Sequence, residues 1–236
     1  MQVSGMPPLG IIMLDTSFER PPGDVGNAAS WPFPVLYRTV RGAMARAVVE
    51  GREEALLDAF VEAGEELKRQ GAVALTTSCG FLVLRQSRLA ARLSLPLATS
   101  SLMQIPSVQR LLPGKQRVGV ITYDRDALTA KHFEQAGVTE PVPVAGLPKG
   151  GAFHSVIEGG RPYERGELET ELLEIVETLI LRELDIGAIV LECTNLPPFS
   201  HSISQRFGRP VFDILTLGRW LYASVCPFGS PAAQER

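Results

Sequence analysis

The 236-residue chain reads as an α/β protein of two pseudo-symmetric lobes, each a mostly parallel sheet flanked by helices, with a cleft between them. Three observations predict this. Short apolar runs, at 9–14, 72–77 and 188–191, alternate with longer segments of helical periodicity, the pattern of a parallel sheet. The succession of elements then restarts near Arg117. Finally, the halves align. GIIMLD at 10–15 falls on GVITYD at 119–124 with an offset of 109, ALTTSC at 74–79 on AIVLEC at 188–193 with an offset of 114, and Pro96 on Pro210 with the same 114. That period exceeds solenoid repeats and marks two related lobes. We assign residues 1–100 plus 210–236 to the first lobe and 101–209 to the second.

The elements follow in order. The first strand, 9–14, ends at Asp15. A Pro- and Gly-rich loop, 16–34, follows, too long for a tight turn and placed to border the cleft as a lid. Helices are predicted over 37–49 and 52–70, the latter from Leu56, Leu57, Phe60, Val61 and Leu67, with Gly71 as its cap. A strand at 72–77 runs into Ser78-Cys79-Gly80 and a helix near 82–93. A fourth strand begins after Pro96, and a helix lies near 107–112. The second half opens on a strand at 117–122, a helix at 126–136 and a strand at 142–144. A second long loop spans 146–166, and a helix 167–184. The strand 188–191 runs into Glu192-Cys193-Thr194-Asn195. A short helix, a segment at 210–214 and a helix at 217–226 close the chain, with 229–236 read as a frayed end.

Composition excludes several classes. Net charge is −3, from 23 basic and 26 acidic residues, which argues against nucleic acid or an anionic membrane as partner. No apolar run approaches the roughly 20 residues of a membrane span. Three cysteines, an odd number, argue against a disulfide framework and for a reducing compartment, so the cytoplasm is the expected location. No histidine has metal-ligand spacing with the cysteines, so no metal is expected.

Two of the cysteines are duplicated. Cys79 and Cys193 each follow a buried strand and precede a helix, at the strand ends where ligands of open sheets collect. Free amides there favour anions and lower a thiol's pKa. Two thiols facing each other across a cleft can take a proton from one face of a carbon and return one to the other, without a cofactor. The amides after each cysteine, the hydroxyls of Thr77, Ser78 and Thr194 and the amide of Asn195 would stabilise the enolate-like intermediate. Ser17, Phe81 and Tyr123, beside the cleft, complete the candidate binding set. Cys226 has no counterpart and reads as packing. His132 reads as a surface residue, His154 could reach the cleft, and His201 lies about two turns beyond Cys193. Asp15 and Asp124 end equivalent strands, where a carboxylate either caps the next turn or pairs with a substrate ammonium. Strand alternation points Glu192 away from Cys193, where it could instead brace the lobe interface.

With TSCG at 77–80 and ECTN at 192–195 in two pseudo-symmetric halves, the chain resembles the aspartate/glutamate racemase superfamily over most of its length. The resemblance implies a two-lobed α/β fold, no pyridoxal phosphate or other cofactor, and a homodimer. It implies that Cys79 and Cys193 are the acid/base pair and that Gly80, Thr194 and Asn195 hold the substrate carboxylate. Asp15 sits where glutamate racemases carry an acidic residue. Glutamate racemase has His where this chain has Asn195, and Asn-Thr where it has Gly80-Phe81. The expectation is an amino-acid racemase acting on a small carboxylate. Maleate isomerase-like or hydantoin racemase-like chemistry, and a non-catalytic two-lobed binding protein, are the alternatives. An arylmalonate-decarboxylase-like role is disfavoured because that type uses one cysteine.

Overall fold

The computed structural model describes residues 5–226; the expected frayed end at 229–236 lies outside them. In the first sheet β1 (Leu9–Met13) lies between β2 (Val35–Thr39) and β3 (Ala74–Thr77), with β4 (Leu97–Ala98) beyond β3. In the second, β5 (Arg117–Thr122) lies between β6 (Val144–Gly146) and β7 (Ile186–Leu191), with β8 (Val211–Phe212) beyond β7. Every pairing is parallel, and β1, β3 and β7 are buried throughout, as sheets covered on both faces require.

The register preserves the duplication residue by residue. Ile11 pairs with Thr76 and Ile12 with Thr77; 109 and 114 positions on, Val120 pairs with Val190 and Ile121 with Leu191. Leu75 and Thr76 face Leu97 and Ala98, as Ile189 and Val190 face Val211 and Phe212.

The first half carries α1 (Ala45–Val49), α2 (Leu57–Arg69), α3 (Gln86–Ala90) and α4 (Ile105–Leu111). The second carries α5 (Ala130–Gln135), α6 (Ala152–Ile157), α7 (Arg165–Arg182) and α8 (Ser200–Phe207), and α9 (Ile214–Val225) follows β8. α2 buries Leu57, Phe60, Ala63, Gly64 and Leu67, a stripe of helical spacing, and Gly71 at φ +98° ends it. α9 starts at Asp213, whose side chain accepts from Thr216 N. Its inner face joins Leu9, Ile11, Trp31 and Phe33 of the first half in one cluster. Phe33 stacks on Tyr222 at 3.7 Å, and a Cβ on Gly218 would strike the Trp31 ring. The chain thus returns to the first sheet directly after β8.

Several elements differ from expectation. Val35–Thr39 is a strand, where helix was expected from Tyr37: Val35, Tyr37 and Thr39 suit the edge of a parallel sheet, and only α1 is helical. The segment after Cys79 is a 3₁₀ helix, Gly80–Arg85, leading into the short α3. β6 begins two residues later than expected. The loop 146–166 contains α6, whose Ala152, Phe153 and Val156 are buried. His132 is buried, not surface. α5 turns it inward, edge-on to the Phe81 ring at 5.2 Å, while its Nδ1 accepts from Thr129 N at 3.0 Å. Burial pushes its pKa down to about 4, so the ring is neutral.

Candidate active site

Both cysteines are delivered by the same device. One residue beyond β3, Ser78 N still donates to Ile12 O (3.0 Å), and beyond β7 Glu192 N donates to Ile121 O (2.8 Å). The side chains at these two positions then accept from the end of the neighbouring strand: Ser78 Oγ from Leu14 N (2.8 Å), Glu192 Oε2 from Tyr123 N (3.3 Å). These bonds hold the strand ends together while the chain turns into the cleft at Cys79 and Cys193, both buried. The lobes are tied directly here, with Thr194 Oγ1 donating to Ser78 O (2.8 Å).

The two thiols line one narrow cavity of about 30 Å³. Ser78, Gly80, Phe81, Tyr123, Thr194 and Asn195, all expected from sequence, line it with them. Thr77, Asp15 and Ser17 do not. Thr77 Oγ1 donates to Thr99 O (2.8 Å). Asp15 and Ser17 border an outer groove with Met44, Arg46 and Glu158. Asp15 Oδ2 accepts from Gly42 N (2.8 Å), in the turn after β2, whereas Asp124 Oδ1 accepts from Asp126 N (2.9 Å) and caps its own turn. The cavity also draws on residues that sequence reasoning missed: Thr16, Phe18 and Arg20 of the 16–34 loop, and Glu192.

That loop is strapped to the second cysteine. Arg20 Nη1 donates to Asp24 Oδ1 (2.8 Å), Nη2 to Thr16 Oγ1 (2.8 Å), and its guanidinium lies 4.4 Å from the Phe18 ring centroid. Asp24 is 1% exposed. Its Oδ1 also accepts from Gly26 N (2.7 Å), and Oδ2 accepts from Asn195 Nδ2 (2.7 Å). Asn195 Oδ1 in turn lies 3.7 Å from Cys193 Sγ and accepts its S–H. A continuous polar chain therefore runs Arg20–Asp24–Asn195–Cys193 from lid to thiol. The bonds that carry it join residues up to 171 positions apart, so no local pattern announces it.

Electrostatics depart from the sequence argument. Burial pushes the Cys193 thiol well above its usual range, and the neighbouring Glu192 carboxylate adds to this. Desolvation outweighs the field of nearby amides, and only a turn and the three-residue 3₁₀ segment Pro197–Phe199 separate Cys193 from α8. Glu192 is fully buried, and burial raises its pKa from 4.5 to about 7 against the bonds from Thr122 Oγ1 (2.7 Å) and Tyr123 N. It lies past the last strand residue, where alternation no longer sets direction, and it faces the cavity. Tyr123 donates its hydroxyl to Glu158 (2.7 Å) and stacks on His154 at 4.1 Å, which places His154 beside the site; His201 is exposed on α8. Among the described residues no group of three or more His, Cys, Asp or Glu could hold a metal ion, and no helix is long and apolar enough to cross a membrane.

At Gly80 the lobes meet closely. A Cβ there would collide with the backbone carbonyl and the carboxyl oxygen of Glu192. Gly80→Ala is therefore expected to lose about 1–3 kcal/mol of stability through overpacking and to lower turnover by separating the thiols. Urea unfolding checks the first effect. An unchanged midpoint would show that the interface yields without cost.

Comparison with known proteins defines the class. No protein-family model matches the chain. Its structure matches arylmalonate decarboxylase (16% identity, TM-score 0.62, 95% of this chain and 94% of that one). It also matches glutamate racemase from Bacillus anthracis (18%, 0.58, 93% and 81%) and allantoin racemase from Pseudomonas fluorescens (17%, 0.58, 92% and 90%). The chain has the fold of the aspartate/glutamate racemase superfamily. Among curated proteins, it is similar in sequence to the dimethylsulfoniopropionate lyase of Durusdinium sp. clade D, 28% identical over 215 residues, 88% of this chain and 71% of the relative. It is 27% identical over 234 residues to dimethylsulfoniopropionate lyase 3 of Emiliania huxleyi (strain CCMP1516), 94% of this chain and 61% of the relative. The chain thus spans about six to seven tenths of the length of these relatives. The sequence relatives are named as lyases, and the structural neighbours as a decarboxylase and racemases.

Proposed function

We propose that this chain is a cofactor-independent enzyme that removes the proton α to the carboxylate of a small substrate, with Cys79 and Cys193 as its acid/base pair, and that the resulting carbanion expels a neutral sulfide from a β-sulfonium carbon. The observation that carries the reading is the pair of thiols, from equivalent strand ends of two lobes, lining one cavity. In the elimination, a thiolate takes the α-proton, the C–H electrons become the carbon–carbon double bond, and the β-carbon–sulfur bond breaks with its electrons leaving on the sulfide. Dimethylsulfoniopropionate would give dimethyl sulfide, acrylate and one proton. The amides after each cysteine, and Arg20, which is the cation among the described lining residues, are the groups for the substrate carboxylate.

The lining supports an onium substrate. The rings of Phe18, Phe81 and Tyr123, with Leu14, Val49 and Ile157, form an apolar wall that suits a sulfonium through cation–π attraction. Asp15 caps a turn outside the cavity, and Asp24 serves Arg20 and Asn195. Glu192, with one oxygen on the Tyr123 amide and the other against Gly80 without a hydrogen-bond partner, is the lining acid left for an α-ammonium. Amino-acid racemisation is the second reading, favoured by the presence of two thiols where elimination needs one base.

One experiment separates them. The protein is incubated without cofactor in deuterated water with dimethylsulfoniopropionate, or with L-aspartate or L-glutamate. Headspace chromatography follows dimethyl sulfide, and proton NMR follows acrylate and α-hydrogen loss. Equimolar sulfide and acrylate are expected. α-Deuteration with loss of optical rotation, and no sulfide, would support racemisation. No reaction, with thiols that neither substrate protects from iodoacetamide, would defeat both readings and leave a binding protein.

A further inference from the structure

The seam between the lobes holds an acid that the fold does not require. Ser78 and Glu192 occupy the same position in the two halves, and each accepts the amide at the end of the adjoining strand, Leu14 N or Tyr123 N. A hydroxyl suffices in the first half. In the second, Oε2 takes the Tyr123 amide and the Thr122 hydroxyl, both neutral donors, and Oε1 is left over. Oε1 is buried, has no hydrogen-bond partner and lies against Gly80. A buried carboxylate oxygen is costly until a donor or a cation meets it. Glu192 and Gly80 both line the thiol cavity.

We propose that Glu192 is a specificity residue: its carboxylate receives the sulfonium end of the substrate, while Arg20 and the amides after the cysteines take the carboxylate end. The proposal rests on the reading of the substrate as a β-sulfonium carboxylate and gives its cation a place. The neighbours fix that place. Oε2 is bonded to the Tyr123 amide, and Oε1 lies against Gly80, the residue before Phe81. The carboxyl therefore stands between the two segments that bring the Tyr123 and Phe81 rings to the cavity wall. A sulfonium has no N–H or O–H to donate. It needs negative charge and aromatic faces rather than a well-aligned acceptor, and this corner offers both. Among the described lining residues Arg20 is the one cationic side chain and Glu192 the one carboxyl, the pattern a zwitterion fits. The cavity, about 30 Å³, has room for about two waters. A substrate therefore enters as the lobes part, which opens the seam where Oε1 lies, and their return shuts the ion pair away from water.

The test reads binding rather than turnover, with two ligands of one shape and different charge. Dimethylsulfonioacetate has no second carbon with which to form an alkene, so it cannot eliminate. In 3-methylbutanoate a C–H replaces the sulfonium sulfur. Calorimetry measures both on the full wild-type chain and on the Glu192→Gln and Glu192→Ser variants at pH 8, above the pKa of about 7 to which burial raises the carboxyl. Gln keeps the size and the acceptor for the Tyr123 amide. Ser is the residue at the equivalent place in the first half, so failure of one variant to fold leaves the other. Wild type should bind the sulfonium at least about tenfold more tightly than its uncharged counterpart, as a desolvated charge pair does. In the variants the two ligands should bind within about threefold of each other, with 3-methylbutanoate little affected. A purely structural role would weaken both ligands alike. Equal binding in wild type, no binding of either ligand, or a preference that the variants keep would overturn the proposal. So would a preference for L-aspartate over succinate with none for the sulfonium, which would give the acid to an α-ammonium. Sulfide release from dimethylsulfoniopropionate, with a charge preference that survives in the variants, defeats only the proposal. A preference lost in the variants, without sulfide release, defeats only the elimination reading.

Discussion

Replacing either Cys79 or Cys193 by Ser is expected to lower kcat/KM by about 10² to 10⁴, the usual contribution of a positioned acid or base. Serine nearly preserves side-chain size, so the fold should survive. What it lacks is an accessible anion, because an alcohol does not ionise near neutral pH. The double variant should be no worse than the poorer single one, since groups that act as a unit are not additive. The lobes are held by other contacts, including Thr194 to Ser78 and Asn195 to Asp24, so the unfolding midpoint should move little. The single variants also separate the two outcomes of proton abstraction. Elimination needs one base, so the variant lacking that base should lose α-deuterium exchange as well as sulfide release. The other variant should keep some exchange. Racemisation draws on both sulfurs, and each variant should then lose inversion to the same extent. Full activity in both single variants would remove the thiols from the chemistry altogether.

How far the sequence carried can be traced to particular residues. The strands at Leu9–Met13 and Ile186–Leu191 were legible because sheets buried on both faces demand unbroken apolar runs, and the offsets of 109 and 114 reappear in the strand register itself. Cys79 and Cys193 were legible because the duplication repeats them. The strand Val35–Thr39 was not. It is an edge strand whose last two residues are exposed, and a breaker-rich loop gives no period to read before it. The six-residue α6 is set by packing rather than propensity, which is weak over so short a length. Arg20 and Asp24 sat in a loop whose position beside the cleft was foreseen, but their bonding to Asn195 exists only once the lobes meet. Glu192 does stand at the lobe interface, against Gly80, but its place in the cavity lining was missed because strand alternation was extended one residue past the strand. The thiol shift at Cys193 was misjudged because burial is a tertiary quantity, and it overrides the helix-end argument.

Asp24→Ala is the substitution with the largest expected effect on stability. The carboxylate is buried and accepts from Arg20, Gly26 and Asn195 together. Its removal leaves Arg20, whose side chain is 13% exposed, without its partner. Breaking a pair this buried costs about 3–5 kcal/mol, which at this chain length lowers Tm by about 10 °C. Activity should fall as well, by about tenfold or more. Without Asp24 the Asn195 amide is free to turn, and Cys193 loses its fixed acceptor. Asn195→Ala dissects the two effects. It keeps the Arg20–Asp24 pair and removes only the bond across the lobes, so kcat/KM should drop with much less loss of Tm. Differential scanning calorimetry beside the sulfide-release assay reads both quantities. If Asp24→Ala kept its Tm within 2 °C of wild type, the loop would be a loose cover. If Tm fell but Asn195→Ala turned over normally, the strap would brace the fold without steering the thiol. The expected combination, Tm lost mainly at Asp24 and turnover lost at both, follows from one polar chain in which the lid's buried ion pair fixes the amide and the amide fixes the sulfur.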